Sequence, residues 1–123
     1  MATSTISMPK YDNNANVANI TFPTGVIAHD LKAHRYGNVV TINGYIKSTL
    51  TGDGNTTADT LATLVSEYAP RTTVRIPCGI AANAWELPES VGIVMVAAGT
   101  GIISIRSSLS GDKAVYFSCS YTV

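Results

Sequence analysis

Charge is scarce in this chain. Only 13% of its 123 residues are Asp, Glu, Lys or Arg, about half of the usual quarter. Eight basic and eight acidic side chains cancel to a formal net charge of zero, and no Lys/Arg cluster occurs. Nucleic-acid binding draws its affinity from phosphates neutralised by such clusters, so nucleic acid is not an expected partner. No apolar run reaches the roughly 18–20 residues of a membrane span, and no membrane insertion is expected. The opening stretch MATSTISMPKYDNNANVANITF lacks a basic region followed by an apolar core. It is not read as a secretory signal.

Cysteine and tryptophan are also few, at two and one. Cys78 and Cys119 stand in strand-like contexts without metal-ligand spacing and read as buried, reduced thiols acting as small core residues. A disulfide between them stays open as an alternative. His29 and His34 have no cysteine nearby and no carboxylate cluster beyond Asp30, so no metal or other cofactor is expected. The chain has no Gly-x-Ser-x-Gly elbow, no phosphate-cradling glycine loop and no His-Glu-x-x-His pair. Glu86 and Glu89, either side of Pro88, are a candidate carboxylate pair for glycoside cleavage. That chemistry needs a sugar-sized cleft holding them about 5–10 Å apart, and nothing else in the sequence supplies one. They read as solvated turn acids, and the protein is not expected to be an enzyme.

What is abundant is small, polar and uncharged: Ser, Thr, Asn and Gly. Such a surface suits sugar recognition or broad subunit contacts. The length predicts one domain, able to bury roughly two-thirds of its unfolded surface without a metal or disulfide. Residues 1–16 read as a flexible arm or linker, and 17–123 as the folded head.

The organising stretch is Gly37–Ser48, GNVVTINGYIKS. Val40, Ile42, Gly44 and Ile46 fall on one side of an extended strand, and Thr41, Asn43, Tyr45 and Lys47 on the other. Gly37–Asn38 is a hairpin turn pair. Gly44, inside the strand, marks a bulge or the close approach of another backbone. Val17–Phe22 and Val26–Leu31 are weaker strand candidates. Thr51–Thr57 is a glycine-containing loop. Ala58–Tyr68 has helical spacing in Leu61, Leu64, Val65 and Tyr68, and is either a few helical turns at most or a strand running into Tyr68. Beyond Thr73 every segment reads as strand. Val91–Ala97, apolar on both faces, is expected to be central and well covered. With Ile102–Ser107 and Ala114–Thr122 it is expected to form a three-strand meander. The fold class is all-β: an antiparallel β-sandwich or jelly-roll-like barrel of about seven to eight strands, with at most one short helix.

For binding, Trp85 is the focus. It lies beside Asn83 and Glu86 just before a turn, where an exposed ring would stack on the apolar face of a sugar while amide and carboxylate read the hydroxyls. The alternative is a core tryptophan packed under the sheet. Tyr45, on the polar face of the organising strand, is either a groove aromatic or a subunit contact. Arg71 and Arg75 are expected to hold carboxylates or carbonyls.

The order RYGNVVTINGYIKS, a loop, EYAPRTTVRIPCG, AANAW, a proline-containing turn and glycine-turned closing strands resembles a known family. It is similar to the C-terminal head domains of phage receptor-binding proteins and tail fibres, particularly those of lactococcal siphophage baseplates. Val40 to Ile46 match that family's Val-x-x-x-Gly-x-Ile strand, and Tyr68 to Arg71 its Phe/Tyr-x-Pro-Arg element. The likeness covers Val26–Val123. It implies a homotrimeric head in the virion's tail tip or baseplate, assembled in the host cytoplasm. It further implies attachment to host cell-surface saccharide, Trp85 in the site, and other baseplate or tail proteins met through the N-terminus. The acidic and histidine partners that follow the tryptophan in that family have no plain counterpart here beyond Glu86 and Glu89. A non-catalytic structural baseplate, fibre or capsid-decoration protein is the alternative.

Overall fold

The computed structural model describes residues 19–52 and 58–123. The arm expected over residues 1–16 and most of the loop expected at Thr51–Thr57 lie outside the described residues. Eight strands follow in order: β1 (Ile20–Thr21), β2 (Val26–Tyr36), β3 (Val39–Thr51), β4 (Asp59–Leu64), β5 (Val74–Ala81), β6 (Ser90–Val96), β7 (Ile102–Arg106) and β8 (Ser110–Thr122). They make one antiparallel sheet, ordered β1-β4-β7-β6-β5-β8-β3-β2, that curls into a nearly closed barrel. The all-β expectation is met, and the described helical content is one 3-10 turn at Ser66–Tyr68. No described helix is long and apolar enough to cross a membrane.

β3 shows why this sequence closes a barrel. Val40, Ile42 and Ile46 are fully buried on its inner face, each burial contributing about 1.5–3 kcal/mol. Thr41, Asn43 and Thr49 alternate with them on the outside. The strand keeps this alternation for 13 residues while pairing with β2 on one side and β8 on the other. Gly44 is there because β2 passes too close for any side chain. Its φ is +137°, and a Cβ would run into the carbonyl of Asp30. From the other strands Leu61, Ile80, Val94, Val96, Ile103, Ile105 and Val115 complete the core.

One alternative is decided and two expectations change. Ala58–Tyr68 takes its strand alternative, as β4 followed by the 3-10 turn. A register shift between Thr60 and Ala62 turns both Leu61 and Ala62 inward. That bulge breaks the period of two and mimics helical spacing. The C-terminal meander is only a hairpin: β7 pairs with β6 and β4, whereas β8 crosses to lie between β5 and β3. Finally, β6 is central but covered on one face only. Val94 and Val96 are fully buried inside, while Val91 and Ile93 on the outer face are 73% and 42% exposed.

Candidate functional site

Outward residues of three strands hold one loop, residues 82–89, against the outside of the barrel. On β5, Gly79 leaves room for the ring of Pro88, whose Cγ would sit 3.1 Å from any Cβ added there. On β8, the Tyr116 hydroxyl lies 2.9 Å from the carbonyl oxygen of Asn83 and 2.6 Å from that of Glu86. On β3, the Lys47 ammonium donates to Asn83 Oδ1 at 3.1 Å. The Glu89 amide donates to the Ile80 carbonyl at 2.7 Å, and its carboxylate meets Lys113 at 3.0 Å. Beneath this cover Ala81 and Ala114 are fully buried although they point outward.

The anchoring orders a chain of polar groups. Asn83 accepts from Lys47 through Oδ1 and donates through Nδ2 to Glu86 Oε2 at 2.9 Å. Its two neighbours settle which way the amide points, since a cation needs the oxygen and a carboxylate needs the nitrogen. Beside this chain, at the loop tip, the Trp85 side chain is 84% exposed. The core alternative for that ring is therefore excluded. Tyr45 stands on the same outward face of β3 as Lys47, directly across from Tyr116 in the β3–β8 register and from Asp30 in the β2–β3 register. Cross-strand neighbours of this kind have Cβ atoms about 4.5–5.5 Å apart. Asp30 itself is drawn to Lys32 at 2.7 Å, which holds its carboxyl below the usual range.

The structure thus brings Asn83, Glu86 and Trp85 together and adds Lys47. Tyr45 lies one outward position further along β3. The anchor that sequence reasoning missed is Tyr116. Its only signal was its place among the outward residues of β8, because both of its acceptors are main-chain carbonyls. Its hydroxyl is pushed above the ordinary tyrosine value by desolvation and by the nearby Glu86 carboxylate. It stays a neutral donor across the physiological range.

The other candidates form no shared constellation among the described residues. Glu86 and Glu89 take different partners, an amide and an ammonium. His29 shares the inward register with Ile46 and stacks on Phe22 at a centroid distance of 3.7 Å, while His34 shares the outward register with Thr41. Among the described residues no group of three His, Cys, Asp or Glu is placed to hold a metal. Cys78 and Cys119 are free thiols, and burial pushes both up to about 11. Arg71 reaches the Val123 carbonyl at 3.4 Å.

In chemical terms the site offers an acceptor-only carboxylate, a donor-only ammonium and an aromatic face within one short loop and its anchor strand. That combination suits a neutral ligand rich in hydroxyls with an apolar face of its own. No protein-family model matches this chain, and no curated protein shows a significant sequence likeness to it.

Proposed function

We propose that the protein is a phage attachment head that binds saccharide on the bacterial cell surface through Trp85, with Glu86, Asn83 and Lys47 reading hydroxyls and Tyr45 flanking the ligand. The observation that carries this reading is the fully presented indole beside an amide already ordered by its neighbours. A large aromatic left in water on a tethered loop has no folding role, and the polar groups next to it need little reordering to bind. Display as a homotrimer in a tail tip or baseplate multiplies weak single-site contacts through effective concentration. In this reading the N-terminal part joins the head to other baseplate proteins, and no catalysis is assigned to it.

The test uses Trp85 as its own reporter. Oligosaccharides released from bacterial envelopes, titrated into the protein, are expected to shift and shield its fluorescence. Trp85→Ala is expected to weaken binding tenfold or more, about 1.4 kcal/mol or above, with unchanged circular dichroism. Native mass is expected at three times the chain mass of 12.9 kDa. An indole as open to acrylamide with every glycan fraction as without would sink the saccharide reading. The second reading, a structural baseplate, fibre or decoration protein, is favoured by a different observation: the bare apolar outer face of β6.

A further inference from the structure

The outer face of β5–β7 is apolar and uncovered in the single chain. Val91, Ile93 and Met95 point outward from consecutive outward positions of β6, since Gly92, Val94 and Val96 fill the inside. At about 3.3 Å per residue this column runs roughly 13 Å along the strand. Pro77 stands directly beside Ile93 on β5, and Arg106 on β7. Leu87, in the loop whose Pro88 covers Gly79 beside Val91, is 89% exposed. These residues form an apolar patch on the order of 300 Å², a size that marks interaction sites on single chains.

We infer that a second copy of this chain covers the β5–β7 face, with Val91 and Ile93 at the centre of the contact. Three observations select a copy of the same chain. The patch is somewhat under half of the roughly 800 Å² that each partner buries in a standard interface. Its surroundings on β7 and β4, Ser104 and Thr60, are the short polar groups that make up an interface rim. The charges complement each other within one sequence. Arg75, paired in register with Met95 at one end of the column, has no partner among the described residues. Glu86 gives one carboxylate oxygen to the Asn83 amide and keeps the other uncommitted among the described residues. A neighbouring copy therefore carries the carboxylate that Arg75 lacks. With a net charge of zero, nothing repels the copies as they approach.

This inference rests on the self-association in the reading above, and its test separates the two. Native mass is measured for the unaltered chain, for Ile93→Lys, for Val91→Lys and for Ile27→Lys, a control on β2 where the native side chain is 53% exposed. Circular dichroism of each variant confirms folding, and two separate β6 substitutions keep the test open should one of them misfold. The expected result is an assembly that falls to single chains with either β6 substitution and survives Ile27→Lys. Arg75→Glu is expected to weaken it at least tenfold, with recovery in Arg75→Glu/Glu86→Arg. An assembly indifferent to both β6 substitutions overturns this inference and leaves self-association standing. A chain that is single at every concentration overturns both, and the glycan titration then judges the attachment reading alone.

Discussion

Removing one oxygen atom from Tyr116 measures how the 82–89 loop is held. In Tyr116→Phe the ring remains on β8 but the hydroxyl that serves Asn83 and Glu86 is gone. A single phenolic proton is given to one carbonyl or shared between two, so the loss amounts to one net hydrogen bond, about 0.5–1.5 kcal/mol. Glu86 is exposed, and water reaches its carbonyl once the phenol leaves, which places the cost near 1 kcal/mol rather than above it. For a chain of this length that corresponds to a fall in Tm of about 3–5 °C. The larger effect is local. The loop keeps Lys47–Asn83 at its start and the Glu89 contacts at its end, but loses its middle tether. Trp85, the only tryptophan, is expected to report this through a lower fluorescence anisotropy and, on the proposed attachment reading, several-fold weaker glycan binding.

The same tether has a pH signature. The folded-state value of Tyr116 is raised, so its stabilising contribution is complete below the ordinary value near 10 and is lost as pH rises through the folded-state value. Anisotropy of the unaltered protein is expected to drop in that alkaline window, and that of the Phe variant to start low and stay level. A Phe variant with unchanged Tm, unchanged anisotropy and an intact alkaline drop would refute the reasoning that Tyr116 positions the loop.

Gly44→Ala places a methyl group against the Asp30 carbonyl at a φ of +137°. Strain and clash together are expected to cost about 3 kcal/mol or more, read from urea unfolding, and a loss below about 1 kcal/mol would show that β2 yields easily. Cys78 and Cys119, both raised to about 11, hold their contribution below the ordinary thiol value of 9.0 and lose it between there and pH 11. Urea midpoints are expected to fall across that interval, and to fall less in a Cys78→Val/Cys119→Val chain. Because both thiols are free, a reducing agent is expected to leave the midpoint at neutral pH where it was.

What could be read from the residues followed the strength of local pattern. β3 was legible because its apolar and polar positions alternate over 13 residues. The need for glycine at position 44 was legible too, since a glycine inside such a strand costs propensity unless a neighbour demands it. β4 stayed ambiguous between helix and strand because its bulge turns Leu61 and Ala62 to the same side. The apparent meander misled because sequential strands usually neighbour one another. Nothing in β7 or β8 announces that one turns to β4 and the other to β5. Asn83, Trp85 and Glu86 stood out as a cluster because they fall within four consecutive positions, 83–86. Lys47 entered through a side-chain bond between elements 36 residues apart, which composition cannot reveal.

The position of β8 bears on how the chain is made. It is the last of the eight described strands to leave the ribosome, yet it lies between β5 and β3 in the interior of the sheet. Until it arrives, β2 and β3 can pair as a hairpin, but the far edge of β3 lacks a neighbour along its whole length, from Val39 to Thr51. β5 likewise awaits its second partner at Gly79–Ala81. Vectorial synthesis therefore presents an adhesive intermediate whose exposed ladder matches a strand carried by every sister molecule on the same messenger. The interval before Ser110–Thr122 emerges is when strand exchange between nascent chains competes with correct closure. Slower elongation through Ser110–Thr122 would raise the yield of exchanged or aggregated product without altering a single residue.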